Sequence, residues 1–169
     1  ADSFTFFAQE SAQGTAIAEG TGARLNRVLD GFPIPFPEDE RDIDAGNATL
    51  AAETYDSNAL QYLQSIEESE GGLIFMTKGG QVAFQQRLLQ PVDEAIQFTD
   101  TGAGIPYDDI QISFGTDLLS NRVIVTSAEG TAIAENTASQ TENGVAELTV
   151  DSLLDSGSLE GLANYLVFK

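Results

Sequence analysis

Any chemistry in this chain would fall to carboxylates, because the sequence contains no Cys and no His. That absence removes thiolate nucleophiles, disulfide frameworks and Cys/His zinc sites. It also removes the Ser-His-Asp arrangement. The groups left for acid–base work are the Asp and Glu side chains, Lys78 and four tyrosines. Two stretches crowd carboxylates together. Arg41-Asp42-Ile43-Asp44-Ala45-Gly46-Asn47 invites a calcium reading, since Ca²⁺ takes hard oxygen ligands from acidic loops. An EF-hand loop needs acidic or amide side chains at positions 1, 3 and 5, Gly at 6 and Glu at 12. With Gly46 sixth, Arg41 falls first and Ala52 twelfth, so that loop fails. A looser site through Asp42 and Asp44 is the one metal candidate; the blander reading is an acidic loop in solvent.

The second stretch is Glu67, Glu68 and Glu70. A glycoside hydrolase holds two carboxylates roughly 5–10 Å apart across a sugar cleft, and Glu67 and Glu70 can meet at i, i+3. No aromatic platform accompanies them, and their charge sits at the unfavourable end of a helix dipole. They read as a solvated acidic helix end. Gly20-Thr21-Gly22 and Gly102-Ala103-Gly104 lack the spacing of a phosphate-cradling loop after a strand. Lys78 falls in a hairpin turn, where solvent should surround it. No residue stands out as a catalyst, no cofactor is expected, and the chain is expected not to be an enzyme.

The elements that must position these residues follow from periodicity. Phe4–Phe7 suits a strand. Thr21 is expected to cap a helix whose Leu25, Val28 and Leu29 share a face and which stops near Asp30-Gly31. Pro33, Pro35 and Pro37 prevent its continuation, which makes 32–47 an extended acidic loop. Asn47–Tyr55 reads as extended into a short strand. Ser57 is expected to cap a second helix with Leu60, Leu63 and Ile66 toward a core, ending at Gly71-Gly72. Leu73–Thr77 and Gln81–Gln86 then form a hairpin about a two-residue Gly79-Gly80 turn. After Pro91 short strands are expected at Ala95–Thr99, Ile110–Phe114, Arg122–Thr126, Thr131–Ala134 and Val145–Val150. A loop covers 101–106, a helical turn Ala138–Asn143. A last helix begins near Ser158, with Leu159, Leu162, Ala163 and Leu166 on one side. This mixture lacks regular βαβ alternation, so the expected class is α+β: short, largely antiparallel strands with about three helices. Gly-Thr-Ala-Ile-Ala-Glu occurs at 14–19 and again at 130–135; six residues of common types do not establish a repeat architecture.

The chain has 169 residues, the size of one ordinary domain or two small ones sharing a core. Its formal net charge is −20, with seven Lys and Arg against 27 Asp and Glu. Such a surface repels phosphate backbones and anionic membranes, so direct nucleic-acid or membrane binding is not expected. No run of about 18 apolar residues suits a membrane helix. The start, Ala1-Asp2-Ser3-Phe4, has neither the charged nor the apolar region of a signal peptide. With no initiator Met and an abrupt end at Lys169, both termini read as cuts within a longer polypeptide.

Taken in order, several stretches resemble the minor tail proteins, or tail hub proteins, of long-tailed bacteriophages, especially those of actinobacterial phages. They are Thr21-Gly22-Ala23-Arg24-Leu25-Asn26-Arg27-Val28-Leu29-Asp30, Arg41-Asp42-Ile43-Asp44-Ala45-Gly46, Asn58-Ala59-Leu60-Gln61-Tyr62-Leu63, Glu70-Gly71-Gly72-Leu73-Ile74-Phe75 and Phe84-Gln85-Gln86-Arg87. Ile105-Pro106-Tyr107-Asp108-Asp109-Ile110, Leu119-Ser120-Asn121-Arg122-Val123-Ile124-Val125-Thr126, Ala138-Ser139 and Leu159-Glu160-Gly161-Leu162-Ala163-Asn164-Tyr165-Leu166 continue the series, which spans most of 20–168. The resemblance implies a domain related to baseplate hubs, with two similar subdomains, 1–90 and 91–169. It implies a homotrimer matching a sixfold tube, tail tube, distal tail and tip proteins as partners, and a place in the virion after assembly in host cytoplasm. Its role would be mechanical: to join the tube to the distal tip and support the DNA-exit channel, where an acidic wall would keep DNA from sticking. Gly22, Gly46, Gly71 and Gly72 would then serve turns and caps, Arg41 and Arg87 would hold acidic loops through charge-assisted pairs, and Asn121 would satisfy backbone groups at a strand start. The main alternative is a carbohydrate- or surface-binding module of a tail fibre or secreted acidic protein, and a second is a calcium-stabilised adhesion domain.

Overall fold

A computed structural model of the chain describes residues 7–31, 35–87 and 119–167. The described residues up to Arg87 and from Ser120 onward belong to one compact unit, and Leu119 to a second made of residues 88–119. The boundary expected between residues 90 and 91 lies outside the described residues. So do the strands expected at Ala95–Thr99 and Ile110–Phe114, the loop 101–106, and Phe4–Phe6.

The class is α+β. Strands β1 (Ser11–Ala16) and β2 (Glu19–Gly20) precede helix α1 (Thr21–Asp30), and β3 (Arg41–Ile43), β4 (Thr49–Leu50) and β5 (Glu53–Asn58) follow it, with a 3₁₀ turn at Glu38–Glu40. Helix α2 (Ala59–Glu70) leads to β6 (Leu73–Met76) and β7 (Val82–Gln85). The C-terminal part holds β8 (Arg122–Ser127), β9 (Gly130–Glu135), α3 (Thr137–Asn143), β10 (Glu147–Asp151) and α4 (Leu159–Val167). The strands form small sheets, β1-β5, β2-β4, β3-β7-β6 and β10-β8-β9. The pairing is antiparallel except β3 with β7 and β10 with β8.

Several elements depart from the sequence reading for identifiable reasons. Phe7 is helical, not extended, and buried in the core. Gly20, not Thr21, caps α1, and the Thr21 hydroxyl is used elsewhere. The side chain of Asn58, one residue beyond Ser57, caps α2 by accepting from Gln61 N–H. Ser57 is still in the β5 ladder opposite Ala12. The extended stretch 47–55 breaks at Ala51, whose N–H leaves the strand for Leu153 O at 2.8 Å. Arg41–Ile43, expected as loop, is a strand because β7 offers it a parallel edge. The hairpin turn is longer than two residues. Gly80 N–H donates to Thr77 O and Thr77 N–H to Gln81 O, with Gly80 at φ 90° and Gly79 outside the positive-φ region. That is the three-residue turn ending in a left-handed glycine.

One core joins the sequence-distant parts. Leu25, Leu50, Leu63, Ile66 and Phe84 cluster with Val123, Val125, Leu154 and Leu162. Leu50 and Leu154 form a β-bridge, Asp155 N–H donates to Thr49 O at 3.0 Å, and Leu153 N–H to Ser69 Oγ at 2.8 Å. Val123 and Val125 face α4, where Leu159, Leu162 and Ala163 are buried. No described helix is long and apolar enough to cross a membrane.

Candidate functional site

A polar joint of the described residues is built on Glu70, the last residue of α2. Leu63, Ile66 and Glu70 fall at i, i+3, i+7, so Glu70 projects from the buried face and is 0 % exposed. Its Oε1 accepts from Asn47 N–H at 2.9 Å; its Oε2 accepts from Ala48 N–H at 3.0 Å and from the Thr21 hydroxyl at 2.8 Å. A buried carboxylate with three donors has its desolvation offset by charge-assisted bonds. Glu70 is therefore not part of a solvated acidic end. Glu67 Oε1 accepts from Ile74 N–H at 3.1 Å, and of the three only Glu68 is exposed.

The loop that Glu70 grips is Asp44–Ala48, and it docks on the start of α1. Gly22 N–H donates to Ala45 O at 3.0 Å and Thr21 N–H to Ala48 O at 3.2 Å. A Cβ on Gly22 would lie 2.0 Å from Asp44 O, so only glycine permits that approach. Gly46 has φ 86°, and a Cβ there would lie 2.7 Å from Thr21 Cβ. The end of β7 closes the joint. Gln86 Oε1 accepts from Gly46 N–H at 3.1 Å, Asp44 Oδ2 accepts from Gln86 N–H at 3.0 Å, and Asn47 Nδ2 donates to Arg87 O at 2.9 Å. Asp44 is thus engaged by the backbone, while Asp42 is exposed on β3. Gly71 caps α2 in the left-handed region, and a Cβ on Gly72 would lie 2.5 Å from Gln85 O.

The remaining residues singled out in the sequence lie apart from the joint or at its rim. Arg41 Nη2 donates to Asp30 Oδ1 at 2.8 Å, with further donations to Asn26 Oδ1 and to Phe36 O. The Arg87 side chain is buried over the Tyr165 ring, 5.8 Å from its centroid, and its Nε and Nη1 have no hydrogen-bond partner among the described residues. Asn121, buried, donates from Nδ2 to Gly144 O at 2.7 Å and accepts at Oδ1 from Ala146 N–H at 2.8 Å; its own carbonyl accepts from Asn136 N–H and Gln140 Nε2.

A second centre was missed in the sequence. Arg24 is 0 % exposed and spends every N–H. Nε donates to Glu19 Oε1, Nη1 to Glu53 Oε1 and the Tyr62 hydroxyl, and Nη2 to Ile17 O and Ala51 O, all within 2.8–2.9 Å. Arg27 forks onto the same Glu19 carboxylate at 2.8 Å through Nε and Nη2. The hydrogen bond from Arg27, then that from Arg24, holds the Glu19 carboxyl below its usual range although burial opposes them. Burial, followed by donation to Glu53, pushes the Tyr62 hydroxyl well above the usual tyrosine range. Tyr62 also stacks on Tyr55, centroids 4.3 Å apart. The signal was its position: Arg24 lies beside Leu25 and one turn before Val28, within the apolar stripe of α1.

Chemically, both centres consume their charges internally. Glu70 and Glu19 accept from fixed donors on both oxygens, whereas Glu53 is engaged through Oε1, an arrangement that clamps the surrounding segments. Among the described residues, no group of three or more acidic side chains is placed to hold a metal ion. Compared with known proteins, the chain matches no family model and no curated protein.

Proposed function

We propose that this chain is a non-enzymatic structural component of a phage tail tip or hub, joining the tail tube to the distal tip complex and supporting the DNA-exit channel. The observation that carries the reading is the joint at Glu70. Four of the stretches that resemble tail hub proteins meet there: the start of α1 through Thr21 and Gly22, Arg41–Gly46 through Asp44 to Gly46, the Glu70 stretch, and Phe84–Arg87 through Gln86. The resemblance therefore falls on residues that interlock four segments, and mechanical load favours such cross-linking over open, proton-transferring carboxylates. The surface chemistry agrees with a DNA conduit: a net charge of −20 repels a passing phosphate backbone. In this role the chain assembles as a homotrimer among tail tube, distal tail and tip proteins, binds no nucleic acid directly and resides in the virion.

Mass spectrometry of purified particles tests the proposal by counting this chain against the major tube protein. About three copies per particle are expected, as a closed cyclic trimer requires. Absence from particles, with a secreted 18.0 kDa product found instead, would overturn the hub and favour a carbohydrate- or surface-binding module.

A further inference from the structure

The sheet β10-β8-β9 ends in an edge that nothing described covers. Arg122 N–H donates to Ala146 O at 3.1 Å and Ser152 N–H to Thr126 O at 2.7 Å, bracketing the parallel β8–β10 ladder. Parallel ladders bond through alternate residues, so Leu148 and Val150 face β8. The N–H and C=O groups of Glu147, Thr149 and Asp151 point away from it, and no hydrogen bond from the described residues reaches them. Natural sheets blunt such an edge with charged side chains, proline or a bulge, and here the charges are acidic, Glu147 and Asp151 at the two ends. This strand, Glu-Leu-Thr-Val-Asp, has no proline and no lysine, so its acidic ends turn away acidic strands but not basic ones.

The edge opens onto a groove of about 740 Å³. Thr149 and Asp151 line it on the strand side, Gln64, Glu67 and Glu68 on α2, and Leu166 lines it as well. Among the described residues, no Lys or Arg lines it. Leu148 on the strand and Val145 just before it are 36 % and 65 % exposed. Glu147, at the strand's other end, shares Arg122 with Glu135 at 3.4 and 3.5 Å, which leaves the groove end the more negative.

We propose that the free edge of β10 binds an extended, Lys- or Arg-bearing segment of a partner protein by strand addition. Main-chain hydrogen bonds to Glu147, Thr149 and Asp151 supply the affinity, as in other strand-addition complexes. Specificity comes from charge. Successive side chains of an added strand point to opposite faces, so cations on the face toward α2 meet Glu67 and Glu68. A second copy of this chain is disfavoured as occupant: carboxylates stand at both ends of β10, and 27 acidic against seven basic residues make copies repel. The inference does not depend on the hub reading, because particle stoichiometry and peptide binding are separate measurements.

The test uses three fluorescent peptides and their anisotropy on the whole chain at about 150 mM salt, where exposed charges more than ~8 Å apart are screened. One alternates Lys and Val, one alternates Glu and Val, and one alternates Lys and Pro. The Lys-Val peptide is expected to bind, and the others at least about tenfold more weakly, since Glu-Val is repelled and Lys-Pro lacks the amides for a ladder. Thr149→Pro removes an outward N–H without touching the β8 ladder, and should weaken Lys-Val binding about tenfold, the loss of roughly one hydrogen bond. Gln64→Lys with Glu68→Lys, both at exposed positions, should shift preference toward Glu-Val; this variant decides the matter if circular dichroism finds Thr149→Pro unfolded. Equal binding of Lys-Val and Lys-Pro would reduce the effect to unspecific charge attraction and overturn the proposal. So would undiminished Lys-Val binding in both variants, or none by any peptide up to about 1 mM.

Discussion

At the scale of the residue, Glu70 and Glu19 show how buried carboxylates become structural. Glu70→Gln preserves shape but turns an amide NH₂ toward donors, since Asn47 N–H, Ala48 N–H and the Thr21 hydroxyl all point inward. At least one buried donor is left unpaired, a cost of about 2–3 kcal/mol. Urea denaturation should show that loss as a lower midpoint at unchanged slope. An unaltered midpoint would mean that the carboxylate does not hold the loop. Glu19 makes a pH prediction. Its folded pKa lies below the ordinary carboxylate value of 4.5, because Arg27 and then Arg24 donate to it. A depressed carboxyl contributes stability that is fully present above the unfolded pKa and is lost as pH falls through the folded one. The wild-type chain should therefore lose stability below about pH 4.5 more steeply than Glu19→Gln. Midpoints taken across that range decide it; parallel acid limbs would contradict the assignment.

At the scale of the element, the loop Asp44–Ala48 is held by geometry as much as by charge. Gly46→Ala places a Cβ 2.7 Å from Thr21 Cβ at φ 86°, so the loop must shift or bear strain. A destabilisation of about 1–3 kcal/mol is expected in thermal or urea unfolding. Because Glu70→Gln releases the same loop, the double variant should cost less than the sum of the two singles, a coupling of at least about 0.5 kcal/mol. Additive losses would separate the loop from the carboxylate. This joint was partly legible in the sequence. The periodicity of Leu60, Leu63 and Ile66 outlines α2, and the same phase carries on to Glu70, although a carboxylate at a helix end invites a solvated reading. Arg24 was hidden in the same way, an ionic side chain inside an apolar stripe. Local chemistry located the glycines and the hairpin, but it missed the extra turn residue because Thr77 and Gln81 pair only after β6 and β7 have come together. It could not foresee that Thr49–Ala51 would bond Leu153–Asp155, since nothing in either segment encodes a partner about a hundred residues away.

At the scale of the whole molecule, the balance of charge decides how the chain answers to salt. Four of the seven cations are committed to local pairs, Arg24 and Arg27 with Glu19, Arg41 with Asp30 and Arg122 with Glu135 and Glu147, so they cannot offset the distributed carboxylates. The folded state concentrates a net charge of −20 that the unfolded chain spreads out. Salt shortens the Debye length from about 30 Å at 0.01 M to about 3 Å at 1 M, which relieves this repulsion while barely touching the fully buried Arg24 contacts. Melting temperature should consequently rise as NaCl is raised across that range. A protein leaning on exposed ion pairs would respond with the opposite sign, and a falling melting temperature here would show that such pairs dominate. Calcium chloride at matched ionic strength adds a discriminating arm. Screening alone raises stability no more than NaCl does, whereas a site drawing on exposed Asp42 would add stabilisation that saturates with Ca²⁺ and disappears with a chelator. Since Asp44 Oδ2 is already engaged by Gln86 N–H at 3.0 Å, the calcium and sodium curves are expected to coincide.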